Sequence, residues 1–121
     1  MSLNPFLQAH KKYICAHDIL NGEDDHYDGY VASGGTEANM QAIWIYRNYF
    51  KSEKGLKNDE ICILCSEDNH YSMDKAGNVL SIPVQKVKVD ENVRTISKET
   101  VEEAIKNQQK KGVKAFIVVA N

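Results

Sequence analysis

Two unbroken apolar runs constrain the fold of this chain more than any other feature. Residues 60–66 read Glu-Ile-Cys-Ile-Leu-Cys-Ser, and residues 114–120 read Lys-Ala-Phe-Ile-Val-Val-Ala. A short apolar run without polar alternation is typical of a strand that is buried on both faces of a parallel sheet. The sequence therefore predicts at least two such strands.

The segments around these runs have the patterns of helices and of one further strand. Helices are predicted over residues 6–20 (ending at Asn21 and Gly22), 36–51, 72–80 and 97–111, and a strand over residues 84–89. Ser97 is the expected N-cap of the last helix, and Gly112 is its expected C-terminal stop. Strands that alternate with helices predict an α/β fold, with right-handed crossover helices on a mostly parallel sheet.

The helix predicted over residues 36–51 is apolar on almost every side. Its large or apolar residues are Met40, Ala42, Ile43, Trp44, Ile45, Tyr46, Tyr49 and Phe50. A helix with this composition is normally buried on most sides. We therefore expect the chain to need covering by more protein than its 121 residues supply.

Composition and charge exclude several kinds of partner. A chain of 121 residues is at most one domain and buries roughly two-thirds of its unfolded surface. With 15 Lys and Arg against 17 Asp and Glu, it has no basic field that would attract nucleic acid or anionic lipid. No apolar stretch approaches the roughly 20 residues of a membrane span, and the first residues lack a signal-peptide core. We expect a cytoplasmic protein that binds neither nucleic acid nor membrane.

The three cysteines, Cys15, Cys62 and Cys65, are too few and too scattered for a disulfide framework. Cys62 and Cys65 have the spacing of a redox or zinc motif. On a strand, however, side chains three residues apart point to opposite faces. We interpret both as buried structural thiols, and no metal site is predicted.

A glycine turn precedes the apolar helix, within residues 29–39, Gly-Tyr-Val-Ala-Ser-Gly-Gly-Thr-Glu-Ala-Asn. Gly34 and Gly35 lack Cβ atoms, so their backbone can take strained dihedral angles and its N–H groups can approach a ligand closely. Thr36 adds a hydroxyl group. A helix that begins here points unpaired N–H groups and its positive dipole end at the turn. The turn is thus a candidate phosphate cradle, and a plain helix start is the alternative.

His70 stands out among the four histidines because of its position in the chain. It directly follows the strand predicted over residues 60–66, and ligands of parallel sheets bind beyond the carboxyl ends of the strands. The glycine turn also opens a crossover helix, so both loops could reach the same edge. Two interpretations of His70 stay open: its imidazole lies over an aromatic cofactor that carries a phosphate, or it caps the next helix.

Two motifs in this chain occur in the order, and at nearly the separation, found in one enzyme family. They are the glycine turn within residues 29–40 and residues 69–76, Asn-His-Tyr-Ser-Met-Asp-Lys-Ala. In both motifs the chain resembles the group II pyridoxal-phosphate-dependent amino-acid decarboxylases, which include the glutamate, histidine and aromatic-amino-acid enzymes. The likeness runs from about residue 10 to residue 121 and does not specify one substrate.

The resemblance implies a fold-type I large domain that binds pyridoxal 5'-phosphate. It implies that Gly34, Gly35 and Thr36 hold the cofactor phosphate and that His70 is catalytic, stacking on the pyridine ring. The cofactor would act as the electron sink for the carbanion left when carbon dioxide departs from a small amino-acid substrate. The intact parent enzyme is expected to be a homodimer.

The chain also departs from the family pattern. Members place the Schiff-base lysine, and before it the aspartate that pairs with the pyridine nitrogen, far downstream of the His70 position. This sequence ends before either, and it lacks the N-terminal arm that usually helps dimerisation. Residues 1–121 are therefore expected to be part of the cofactor-binding large domain, truncated at both ends and inactive alone.

Other functions remain open at this point. A second fold-type I chemistry, an aldehyde-lyase that acts on a phosphorylated amino alcohol, also uses a glycine turn and a histidine. A non-catalytic module that binds phosphate or pyridoxal phosphate is the alternative outside enzymes. A nucleotide-binding domain is disfavoured, because neither G-x-G-x-x-G nor G-x-x-x-x-G-K-[ST] is present.

Overall fold

The computed structural model of the protein describes residues 19–22 and 29–120. The chain divides into two compact units, Met1–Ser33 and Gly34–Asn121. In the first unit Ile19 is helical, and Asn21 lies in a turn with a φ of 52°. This agrees with the helix end predicted at Asn21 and Gly22. The rest of that predicted helix, residues 6–18 with Cys15, lies outside the described residues.

The second unit alternates helices with parallel strands. In chain order its elements are α1 (Gly35–Lys54), β1 (Ile61–Ser66), α2 (Ser72–Leu80), β2 (Val84–Val87), α3 (Lys98–Lys110) and β3 (Ala115–Val119). The strands form one parallel sheet in the order β2-β1-β3. The predicted α/β class with a parallel sheet is confirmed. Within the described ranges, no helix combines the length and the apolar character needed to cross a membrane.

The central strand β1 is buried along its whole length, as its unbroken apolar sequence predicts. Ile63 lies opposite Val84 on one side and Ile117 on the other. Alternate side chains of β1 enter two different cores. The first core, against α1 and α2, contains Ile43, Ile61, Ile63, Cys65, Met73, Ala76, Ile82, Ala115 and Ile117; the second, against α3, contains Leu64, Val87 and Ala104. Helices thus cover both faces of the sheet.

Glycine at position 77 allows α2 to approach β2 closely. A Cβ atom on Gly77 would lie 2.3 Å from Cγ2 of Val84 and 2.9 Å from the backbone oxygen of Ile82. Both distances are well inside van der Waals contact, so only glycine fits this position without a shift of the chain. The sequence pattern contains no signal for this contact, because it joins two elements that meet only in the folded sheet.

Element ends agree with the predictions where a local signal sets them. Ser97 caps α3, since its Oγ accepts a hydrogen bond from the N–H of Thr100 at 3.2 Å, and Gly112 follows the helix with a φ of 97°. β2 ends at Val87, two residues before the predicted end at Val89. The N–H of Val89 donates to Oε1 of Glu67 at 3.0 Å. A side chain, and not the backbone of a neighbouring strand, thus accepts this hydrogen bond.

The described residues cover only part of the surface of α1, which agrees with the expectation that this apolar helix needs further protein for burial on most sides. Ile43 is the one residue of α1 that is fully buried. Trp44, Ile45, Tyr46 and Tyr49 are between 43% and 54% exposed. α1 packs one face against the core beside β1 and α2, and the described part of the chain supplies no layer for its other apolar side chains.

Cys62 and Cys65 are buried free thiols, as predicted. Loss of hydration on burial raises the pKa of both side chains. A raised pKa keeps each sulfur in the unreactive thiol form. The two cysteines therefore serve packing.

Candidate functional site

The helices α1 and α2 begin at the same edge of the sheet. Nδ2 of Asn39 donates to Oγ of Ser72 at 2.9 Å, and Nη1 of Arg47 donates to the carbonyl oxygen of Leu80 at 3.3 Å. The first bond joins the start of α1 to the start of α2, and the second joins a later turn of α1 to the end of α2. The two helices therefore run in the same direction. Since α2 follows the carboxyl end of β1, the glycine turn and the loop with His70 both lie at that edge.

Gly34 and Gly35 do not adopt the strained dihedral angles that glycine allows. Gly34 is extended, with φ 179° and ψ 174°, and neither glycine lies in the left-handed region. A Cβ atom on either residue would meet no atom within 4 Å in the part of the chain that the structure describes. Neither the backbone conformation nor packing among the described residues requires glycine here, and the surface beside the turn is open to a ligand.

The start of α1 offers donors to an anion. The carbonyl oxygen of Gly34 accepts the N–H of Ala38 at 3.1 Å, which is a first helical hydrogen bond, and Gly34 has no side chain to cap the helix. The amides of a first turn have no acceptor within the helix, and the helix dipole places positive charge there. Thr36 is half-buried in the same turn. Glu37 brings one carboxylate to this turn, which opposes an anion.

His70 caps α2 and keeps an exposed ring. Its Nδ1 accepts the N–H of Ser72 at 3.2 Å, and its carbonyl oxygen accepts the N–H of Met73 at 3.1 Å. The ring lies 4.3 Å from the ring of Tyr71, with 38° between the planes. Because Nδ1 is the acceptor, the neutral imidazole carries its proton on Nε2. The capping interpretation is therefore observed, and the exposed ring is accessible to an aromatic group.

The contacts that hold the loop before His70 have no signal in the sequence. Asp68 forms an ion pair with Arg94, and the N–H of Glu67 donates to the carbonyl oxygen of Val87 at 2.9 Å. Nothing in the local sequence links these distant residues. Asn39 and Ser72 lie inside the two motifs, but the sequence alone assigned them no role.

A cavity of about 370 Å³ opens at the ends of β1 and β3 and at the β2–α3 connection. It is lined by Ser66, Asp68, Val89, Arg94, Thr95, Ile96 and Ala120. None of the predicted site residues Gly34, Gly35, Thr36 and His70 lines it. The cavity thus lies at the carboxyl ends of the strands, and its lining includes Asp68 from the loop that carries His70.

A parallel α/β unit with two helix starts at one sheet edge is consistent with the fold-type I class, and comparison with known proteins confirms that class. Residues 14–121 match the pyridoxal-dependent decarboxylase conserved domain. The chain belongs to this family, whose cofactor is pyridoxal phosphate.

Relatives with known names agree with this assignment. The chain is 48% identical over 108 residues to the tryptophan decarboxylase of Clostridium sporogenes, covering 89% of this chain and 26% of that protein. It is 32% identical over 105 residues to the aromatic-L-amino-acid decarboxylase of Bacillus atrophaeus, covering 83% and 21%. The crystal structure of mouse CSAD matches with a TM-score of 0.69 and 25% identity, covering 94% of this chain and 25% of that one. The chain thus spans about a quarter of the length of these relatives.

Proposed function

We propose that this chain is the cofactor-binding segment of a pyridoxal-phosphate-dependent amino-acid decarboxylase, a carboxy-lyase. The observation that carries the proposal is the hydrogen bond between Asn39 and Ser72, which joins the glycine-turn motif to the histidine motif at the carboxyl edge of the sheet. Residues 1–121 belong, in this proposal, to a large domain that extends beyond both ends. When bound, pyridoxal phosphate withdraws electrons from the Cα atom of the amino acid as its carboxylate leaves.

In this proposal, the backbone at Gly34 and Gly35 and the hydroxyl group of Thr36 hold the phosphate. The open surface beside both glycines and the dipole of the 20-residue helix α1 support this role. The start of α1 would then hold the phosphate, and the loop after β1, which carries His70, would hold the pyridine ring.

His70 is the catalytic residue of the proposal, because its ring stacks on the pyridine ring. The hydrogen bond that Nδ1 of His70 accepts from the N–H of Ser72 supports this role, because this bond orients the imidazole before any ligand binds. A ring that is already oriented loses little freedom on binding, which favours affinity.

The chain alone is proposed to be inactive, because the Schiff-base lysine and the pyridine-pairing aspartate belong to later parts of the family pattern. The exposed aromatic side chains of α1 support the view that further protein packs on this segment in the intact enzyme. An amino-acid substrate and a homodimeric parent are part of the proposal. The cytoplasmic location stays a prediction.

The first test is a titration of the purified protein with pyridoxal phosphate, followed by cofactor absorption and by quenching of Trp44, the one tryptophan. Trp44 lies eight residues after Thr36 on α1, about 12 Å along the helix. We expect saturable binding, competition by inorganic phosphate, and a three- to tenfold weaker affinity for His70→Ala, because a stacked aromatic pair contributes about 0.5–1.5 kcal/mol.

His70→Phe is the matched control, because it keeps an aromatic face and loses the ring nitrogens. It should bind more tightly than His70→Ala. Equal affinity of the wild type and His70→Ala, without phosphate competition, would place the cofactor elsewhere. With the intact enzyme and an amino-acid substrate, release of carbon dioxide and an amine supports the decarboxylase, whereas an aldehyde product supports the aldehyde-lyase.

A further inference from the structure

We propose that Asn39 and Ser72 are positioning residues that set the phosphate-holding turn and the ring of His70 at a fixed separation. The inference rests on the proposed function, because it assigns these two residues to the same cofactor site. Neither residue needs to touch the cofactor. They act through the groups at either end of a short hydrogen-bonded chain.

Ser72 is the centre of this chain of contacts. It is the first residue of α2, and it is completely buried, with 0% of its surface exposed. Its Oγ accepts from Nδ2 of Asn39 at 2.9 Å, while its own N–H donates to Nδ1 of His70 at 3.2 Å. One residue therefore links α1 to the imidazole ring.

Asn39 connects the other end of this chain to the glycine turn. It lies four residues after Gly35 in α1, about one helical turn further along the helix. A movement of the start of α1 along its axis would therefore lengthen the Asn39–Ser72 bond. The bond ties the amides that face the phosphate to the residue that orients the histidine.

The core alone does not set this separation. Side chains of α1 and α2 share an apolar core with β1, and apolar contacts have no preferred direction. A hydrogen bond to a buried hydroxyl group is directional, and leaving the hydroxyl unpaired is unfavourable. The Asn39–Ser72 bond is thus suited to fix one alignment of the helix starts.

The test compares Asn39→Ala, Ser72→Ala and the double variant in the intact cofactor-loaded protein. Ser72→Ala keeps the N–H that binds His70, so it removes only the link to α1. Each single variant should weaken pyridoxal phosphate binding roughly three- to tenfold, as expected for one hydrogen bond. The affinity of the double variant should be no lower than that of the single variant with the lower affinity, because both substitutions remove the same bond. The circular dichroism band of the bound cofactor should change in all three, because the ring orientation changes.

Arg47→Met is the matched control. It removes the second hydrogen bond between the same two helices, eight residues and about 12 Å further along α1. The carbonyl oxygen of Leu80 keeps the bond from Nδ2 of Asn58 at 3.2 Å. Oδ1 of Asn48 loses its two bonds from Arg47, both 3.2 Å long, but Asn48 is only half-buried and lies within α1, away from the cofactor site. This variant should lower the melting temperature and leave the affinity and the dichroism band of the cofactor unchanged.

Two results would overturn this inference and leave the proposed function standing. One is equal weakening of cofactor binding by Arg47→Met and by Asn39→Ala; the other is a lower melting temperature in Asn39→Ala and Ser72→Ala with unchanged affinity and dichroism. Wild-type protein without saturable, phosphate-sensitive binding would overturn the proposed function, and this inference with it.

Discussion

The glycine at position 77 and the glycine pair at positions 34 and 35 have opposite surroundings. A side chain on Gly77 would collide with Val84 and with the backbone of Ile82, whereas a Cβ atom on Gly34 or Gly35 would meet no atom of the described residues within 4 Å. The first glycine is explained entirely by the fold. No contact among the described residues explains the glycines at positions 34 and 35. A ligand that approaches the backbone closely would explain them.

The largest expected effect is on stability at the packed position. Gly77→Ala should lower the free energy of unfolding by roughly 1–3 kcal/mol, the usual result of forcing an extra methyl group into a filled core. Urea or thermal unfolding measures this change. Adding Val84→Ala removes the atom nearest to the new methyl group. The double variant should therefore lose less stability than the two single variants lose in sum. Undiminished stability of Gly77→Ala would remove the contrast between the two glycine positions.

The next effect is on binding at the open position. Gly35→Ala should leave stability unchanged or raise it by up to about 1 kcal/mol, since alanine favours a helix. It should weaken cofactor affinity roughly tenfold or more, because the added methyl group would keep the phosphate away from the backbone N–H groups, and a hydrogen bond to a charged group contributes about 1.5–3 kcal/mol. Phosphate competition in the fluorescence titration reports this loss. Unchanged cofactor affinity in Gly35→Ala would argue that the phosphate does not lie at this turn.

The smallest effect is expected at the opposite edge of the sheet, where Glu60 precedes β1. A hydrogen bond from Nζ of Lys114 at 2.5 Å, and another from the N–H of Lys57, lower the pKa of Glu60. A carboxyl group with a lowered pKa in the folded state stabilises the fold above its unfolded pKa of about 4.3, and this stabilisation is lost as the pH falls through the folded value.

Melting temperatures measured from about pH 6 down to about pH 3 test this expectation. Glu60→Gln should flatten the acid side of the profile slightly, because the pair is at the surface. Cofactor affinity at neutral pH should be the same in the variant and the wild type. A change in that affinity would show that the two edges of the sheet are coupled, and would weaken the separation between scaffold and site.

Local signals made much of the fold predictable. The unbroken apolar run of β1 indicated burial on both faces, and the pattern over residues 72–80 matches α2 (Ser72–Leu80). Ser97 was recognisable as a cap because its partner is three residues away. The close approach at Gly77 was not predictable, since it depends on how the chain turns back from α2 into β2. The early end of β2 was not predictable either, since it depends on Glu67, which is distant in the sequence.

The candidate site was predictable only in part for the same reason. The motifs identified the turn at Gly34 and Gly35 and the histidine at position 70. The structure then corrected the reason for glycine at the turn from backbone strain to open surface. The apolar composition of α1 was visible in the sequence, but composition does not say which neighbour covers a helix.

The central position of β1 also determines when its edges can be filled during synthesis. One edge pairs with residues 84–87, and the other pairs with β3, whose residues 115–119 are translated much later. Pairing between distant segments is slow, because the intervening chain has to be closed into a loop first. While residues 88–114 leave the ribosome, the strand that is most buried in the finished unit has one open edge. That interval is when a nascent chain is most exposed to pairing with a wrong strand.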